Sequence, residues 1–243
     1  NNTVTWAAGK TRARAAQFTA VNSEYLSGSD IIVGPSITVD GWVYFDSLES
    51  NNRILSQWHS SAFGIDVSYI NSSGQIRALI YDTSGTPVSL TVANLTTPST
   101  GVWYYFCLTF DSSDSSAHFY INTTDASATL GGNGVLQVGD DFRIGARNGS
   151  PTYHDGRVCD VCVWNRVLSS DERAARYNGG DGLTFPFMGE APVSFGGSSA
   201  GEGDSLLNGL VEFWPLDNTS GVRRGAHSGF DLTDNNTVTS ADG

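Results

Sequence analysis

The chain has 243 residues, Lys+Arg 13 against Asp+Glu 25 for a formal net charge of −12, and a single lysine, Lys10. A surface this acidic repels phosphate backbones and argues against nucleic acid as a partner, and no apolar run approaches the roughly 20 residues that cross a bilayer. Gly 28, 11% aromatic residues and a remainder rich in Ser, Thr and Asn make up a strand-and-turn protein instead.

The first residue is Asn1, and no leader segment is visible, which suggests an excerpt of something longer. The opening "NNTVTWAAG" returns at the other end of the chain. Residues 235–243, "NNTVTSADG", match residues 1–9 at seven of nine positions, with an offset of 234. Between these copies, strand signals recur at short intervals. "ITVDGWVYFD" (37–46), "RILSQWH" (53–59) and "AFGIDVSYI" (62–70) come first, then "QIRALIYD" (75–82) after the turn "NSSG". "VSLTVA" (88–93) follows "DTSGTP", and "VWYYFCLTFD" (102–111) is almost wholly apolar, as a strand covered on both faces is. "AHFYIN", "GVLQV", "FRIGA" and "GRVCDVCVWN" (156–165) complete a series whose spacing predicts a sandwich rather than βαβ units.

One helix is predicted near 170–178. Ser169 stands three residues before Glu172 in a capping-box arrangement, acids lead the first turn, arginines follow, and Gly179 suits the stop. It is too short to stand alone and must dock on the sheet. "GEAPVSFGGSSAGEGDS" (189–205) then reads as a flexible linker, after which "GLVEFWPLDN" resumes strand character.

The closing strand and helix, "GRVCDVCVWNRVLSSDERAARYNGG", with "AAQFTAVNSEYLS" near the start, resemble the laminin-G-like, concanavalin-A-like jelly-roll modules. The family pattern is matched at Gly156, Asp160, Val161, Trp164, Asn165, Arg166, Leu168, Ser169, Tyr177, Asn178 and Gly179, with Cys159 standing where the family usually has Asp. Such modules open with a strand like "GLVEFWPLD", which here comes last. The resemblance therefore implies three parts: residues 1–187 as a jelly roll lacking its opening strand, 188–208 as linker, and 209–243 as the opening segment of the same or the next module. Leu210, Val211, Phe213, Trp214 and Leu216 would form the assembling strand. It either folds back on its own chain or completes a neighbouring copy, and donation is the favoured arrangement because a missing strand leaves a bare edge. The resemblance also implies a structural calcium ion, with Asp160 and Asp217 at matching positions and Asp155 as a further ligand.

The chemistry-bearing residues give little else. Glycoside hydrolysis needs paired carboxylates, and the six glutamates are scattered, with Glu212 alone in a strand. Cys159 and Cys162 have Cys-x-x-Cys spacing, but inside a strand residues three apart point to opposite faces, so they read as small buried side chains, with a disulfide from Cys107 to either left open. The histidines are dispersed. Trp42, Trp103 and Trp164 read as core, while Trp58 suits either core or a sugar-binding platform. Glycosylation sequons place acceptors at Asn71, Asn94, Asn122, Asn148 and Asn218, besides Asn1 and Asn235.

The sequence thus predicts an all-β jelly roll with one short helix, acting without catalysis as a structural or adhesive module of an extracellular, cell-surface or virion-surface array. Its partners would be copies of itself, with glycans as further partners, and it would not insert into a membrane. Carbohydrate binding is the alternative, and a glycoside-active enzyme stands behind both.

Overall fold

A computed structural model describes residues 10–11, 14–31, 34–58, 64–81, 87–91, 97–129, 141–150, 152–187, 206–218 and 221–242. The linker at 189–205, the strand expected at "GVLQV", and the candidate acceptor Asn94 fall outside them. In chain order the strands are β1 (Arg14–Phe18), β2 (Tyr25–Gly28), β3 (Ser36–Phe45), β4 (Asn52–Trp58), β5 (Gly64–Ile70), β6 (Gln75–Tyr81), β7 (Pro87–Thr91) and β8 (Trp103–Asp111). Then come β9 (Ser116–Ile121), β10 (Thr124–Thr129), β11 (Phe142–Ile144), β12 (Gly156–Trp164), the helix α1 (Ser170–Tyr177), β13 (Leu210–Trp214), β14 (Thr233–Asn235) and β15 (Thr239–Asp242).

These strands form two antiparallel sheets. The first runs β10-β9-β8-β3-β12-β1-β15 with β13 added beside β12, and the second runs β14-β2-β11-β4-β5-β6-β7. The period-2 alternation of the strands decides what lies between them. Val39, Val43, Phe106, Leu108 and Phe119 of the first sheet meet Ile54, Ile65, Val67, Ile76 and Ile144 of the second in one buried core. Burying such side chains contributes on the order of 1.5–3 kcal/mol each, and this core is the main source of stability.

The first sheet is apolar on its outer face as well. Trp42, Tyr105, Cys107 and Cys159 form a separate buried cluster there, with Tyr177 of α1 packed against it. This is why β8 reads as apolar throughout. The helix begins as its sequence predicts. The Ser169 hydroxyl accepts from the Glu172 N–H at 3.2 Å, and the Glu172 carboxylate accepts from the Ser169 N–H at 2.8 Å. Asn178, in the left-handed conformation at φ 48°, ends it, followed by Gly179 at φ 62°. Its attachment to the sheet is ionic at the centre. Arg176 is fully buried and donates through Nε and Nη2 to Asp40 at 3.0 and 2.9 Å, while Tyr105 Oη donates to the same carboxylate at 2.6 Å.

A bulge in β12 changes the reading of "CDVC". Cys159 pairs with Trp42 and Cys162 with Asp40, so three residues of β12 span what two span on β3, and Asp160 at the bulge has φ 51°. The extra residue flips the alternation. Cys159 and Cys162 therefore both leave the inter-sheet core for outer clusters, while Val158, Val161 and Val163 face inward. The expectation of opposite faces fails for that reason. The expected burial holds, and all three cysteines are free thiols.

In this single chain the C-terminal segment lies on its own sheets. β13 pairs with the second half of β12, β14 with β2, and β15 with β1. Leu210, Phe213, Trp214 and Leu216 are buried, and Val211 is partly buried against the core. Trp214 stacks on Phe142 at 5.1 Å between ring centroids, so the segment supplies core as well as edge.

Candidate functional site

A pocket of about 350 Å³ opens between α1 and the outer face of β8 and β9. Three segments build it. On β8 and β9 the register sets Cys107 opposite Tyr120, and the Asn122 side-chain oxygen accepts from the Tyr105 N–H at 3.0 Å. The turn after β9 adds Thr123, and α1 closes the other wall with Ser170, Arg173, Ala174 and Tyr177. Three tyrosines, Tyr105, Tyr120 and Tyr177, stand among its ten lining residues. Tyr177 stacks on Trp42 at 6.0 Å and meets Tyr105 at 5.8 Å, which fixes both rings. The Arg173 guanidinium lies over the Tyr120 ring at 4.4 Å, and its Nη1 donates to the Leu168 carbonyl at 2.6 Å.

Two of the pocket's phenols and its thiol resist ionisation. Burial pushes the Tyr105 phenol well up, reinforced by the Asp40 carboxylate beside it. Burial likewise pushes the Cys107 thiol up, with Asp40 adding to it, so this sulfur carries no thiolate reactivity. Burial raises the Tyr120 phenol too. The lining contains neither Asp nor Glu, so the two-carboxylate chemistry of sugar hydrolysis has no groups to run on there. What it offers is ring faces, an amide, hydroxyls and one guanidinium, a set suited to holding a hydroxylated ligand.

The carboxylates expected to hold calcium are not gathered. Asp160 is buried at the β12 bulge and accepts from the Thr11 hydroxyl. Asp155, before β12, accepts from the Ala20 N–H at 3.4 Å, and Asp217 lies after β13 within electrostatic reach of Arg223. Among the described residues no three His, Cys, Asp or Glu side chains come together as a metal-ligand set, so these three acids do not fit one shared ion.

The lone strand glutamate has a structural task. Glu212 is fully buried, and its two oxygens accept from the N–H groups of His227, Ser228 and Phe230 at 2.6–3.2 Å, organising the loop that follows β13. Trp42 and Trp164 are core as expected, but Trp103 is only half-buried, packed on Tyr44 at 5.4 Å near the start of β8. Trp58 is half-buried at the end of β4, with Arg147 over its ring at 4.5 Å. Asn71 is exposed in a turn, Asn148, Asn218 and Asn235 are half-exposed, and Asn122 lines the pocket.

The pocket itself was not anticipated, because its walls lie far apart in sequence. The available signal was the unbroken apolar run of β8, which requires a cover on each face.

The Concanavalin A-like lectin/glucanases superfamily model matches residues 17–172. Comparison with curated proteins finds no match. Among solved structures, a candidate carbohydrate binding protein from Bacteroides ovatus is similar over 96% of this chain at 18% identity, with a TM-score of 0.64. This chain spans 60% of that protein. A SAP-like heptameric pentraxin from Limulus polyphemus is similar over 67% of this chain and 80% of its own, at 15% identity and TM-score 0.53. The CBM40 of the Ruminococcus gnavus IT-sialidase, bound to alpha2,3 sialyllactose, is similar over 65% of this chain and 94% of its own, at 13% identity and TM-score 0.50. At these identities the likeness is one of fold.

Proposed function

The chain belongs to the Concanavalin A-like lectin/glucanases superfamily, and from that membership and the pocket beside α1 we propose that it is a non-catalytic glycan-binding module working outside the cell. The carrying observation is the aromatic-walled pocket without a carboxylate. A sugar ring would lie against Tyr177 and beside the edge of Tyr120, whose ring already carries Arg173, with hydrogen bonds from Asn122, Thr123 and Arg173. The Bacteroides ovatus and Ruminococcus gnavus neighbours, named for carbohydrate binding, support this reading over a purely structural one. No helix among the described residues is long and apolar enough to cross a membrane. Calcium remains a separate proposal, which needs ligands other than the trio Asp155, Asp160 and Asp217. The test is a glycan array with the full chain and with Tyr120→Ala. Saturable binding to at least one glycan, weakened about tenfold or more by the substitution, supports the reading. An array on which the full chain binds nothing refutes it.

A second reading, assembly through an exchanged strand, is favoured by one register. β15 pairs with β1 so that Asp242 faces Arg14 and Thr239 faces Gln17. Shifted back by the 234-residue offset, these positions correspond in sequence to Ala8 and Thr5. Val238 is buried in the core, Asn235 donates to Ser27 Oγ at 2.9 Å, and Asn236 donates to the Ser23 carbonyl at 2.8 Å; Val4, Asn1 and Asn2 are their sequence equivalents. The same sequence thus stands at both ends of the chain while β1 offers a single edge, which suits a module that hands its C-terminal segment to the next. Mixing chains carrying Gln17→Cys with chains carrying Thr239→Cys should then yield disulfide-linked dimers. Monomers alone would sink this second reading.

A further inference from the structure

The second sheet carries a different outer face. Facing away from the core on β4, β5, β6 and β11 are Arg53, Ser56, Asp66, Ser68, Arg77 and Arg143. The register lines them up in two rows, Arg53–Ser68–Arg77 and Arg143–Ser56–Asp66. The loop after β11 folds over them. Ser56 Oγ donates to the Ala146 carbonyl at 2.9 Å, Arg53 Nε donates to Thr152 Oγ1 at 3.1 Å, and the loop delivers a fourth guanidinium, Arg147.

Among the described residues the charges there do not balance. Asp66 is fully buried and accepts from Arg53 at 2.5 Å and from Arg147 at 3.2 Å, with Arg77 also within electrostatic reach. Arg143 lies over the Tyr25 ring at 5.0 Å, and its nearest carboxylate, Asp141 at 3.5 Å, is 58% exposed. One buried carboxylate thus serves three guanidiniums, in a chain whose formal net charge is −12. Unpartnered buried atoms concentrate here as well: the Nε–H groups of Arg77, Arg143 and Arg147, and Asp66 Oδ1. Leaving buried donors unsatisfied is costly, so such a group marks a place for an absent acceptor. Asp66 Oδ1 asks for the opposite, a donor.

We propose that this face is an oxyanion site, taking a carboxylate or sulfate on the free N–H groups of Arg77 and Arg147 while Asp66 Oδ1 accepts from a hydroxyl beside that anion. The planar, always-charged guanidinium suits this role. An acidic sugar carries both features, and a free anion with a bound water carries the same chemistry. The site lies on the opposite sheet from the pocket beside α1 and does not depend on it.

The test is calorimetric titration of the full chain with a sulfated galactan oligosaccharide, with its desulfated counterpart, and with sodium sulfate against sodium chloride at equal ionic strength. Binding of the sulfated oligosaccharide, weakened about tenfold or more by Arg77→Gln and by Arg147→Gln and unchanged by Tyr120→Ala, is the expected result. Equal affinity for sodium sulfate keeps the site and makes its ligand the free ion. Unfolding midpoints of the variants show that they fold, and sulfate should raise the midpoint of the full chain but not that of Arg77→Gln. Two results overturn the proposal: no binding of either sulfated ligand, or an equal loss with Arg224→Gln, an exposed arginine on the loop after β13, which would mean general attraction between charges.

Discussion

Acid should loosen this molecule through one histidine. His154 is fully buried between Phe18 and Phe45, whose rings meet its imidazole edge-on at 5.9 and 5.6 Å. Its Nε2 lies 3.2 Å from the Tyr44 carbonyl, which can only accept, so Nε2 carries a proton, while the buried Nδ1 has no partner. Burial lowers its pKa from 6.5 to about 4. At pH 7 the group is neutral folded and unfolded and contributes nothing. As pH falls below 6.5 the unfolded chain takes up a proton that the folded chain refuses until about pH 4. Stability is therefore full above pH 6.5 and is lost between there and pH 4, at up to about 1.4 kcal/mol per pH unit and about 3 kcal/mol in all. Urea unfolding of the wild type and of His154→Gln from pH 7.5 to 4 reads this directly. The raised carboxyl groups of Asp66 and Glu24 act in the opposite sense but are common to both chains. The variant should start less stable and lose less on acidification. Parallel curves would refute the argument.

Arg176→Leu should cost about 3–5 kcal/mol in urea unfolding, because it leaves Asp40 buried and uncompensated, and the double substitution Arg176→Met with Asp40→Leu should recover much of that loss. Glu212→Gln turns an acceptor into a donor facing backbone N–H groups, so the amides of His227, Ser228 and Phe230 should exchange with deuterium faster while β8 amides do not. Cys107, Cys159 and Cys162 should resist alkylation in the native chain and all react once it is unfolded, as their burial and raised pKa values require.

Local features of the fold were legible and distant ones were not. The capping box at Ser169 and Glu172 spans three residues and reads directly from sequence. So do the boundaries of β3, β4, β5 and β12, because alternation and turn residues act over a few positions. Arg176 reads from sequence as a favourable charge near a helix end. That it reaches Asp40, 136 positions away, depends on how α1 lies on the first sheet, and no local pattern records that. The same distance hides the pocket, whose Tyr105, Tyr120 and Tyr177 come from three elements. The β12 bulge escapes for another reason. "GRVCDVCVW" is apolar on both sides of Asp160, so a one-residue slip leaves the hydrophobic pattern unbroken, and only the register with β3 reveals it.

The two outer faces carry what distinguishes this module from its fold. A sandwich needs only one buried face per sheet, and that requirement is met by the core between them. What lies beyond it, on the outer faces, is not required by the sandwich itself. On the first sheet the surplus is apolar and aromatic, and much of it is roofed by α1 through an ion pair that a hydrophobic pair could replace with little loss of stability. On the second sheet the surplus is cationic and only partly satisfied, which costs stability outright. The first arrangement buries aromatic area and the second does not, and they present different groups: a tyrosine-lined pocket with an amide on one side, guanidinium N–H groups on the other. Filling a place in a sheet requires neither face, so the two proposed ligand sites and the proposed strand exchange make separate demands on this chain and can be tested separately.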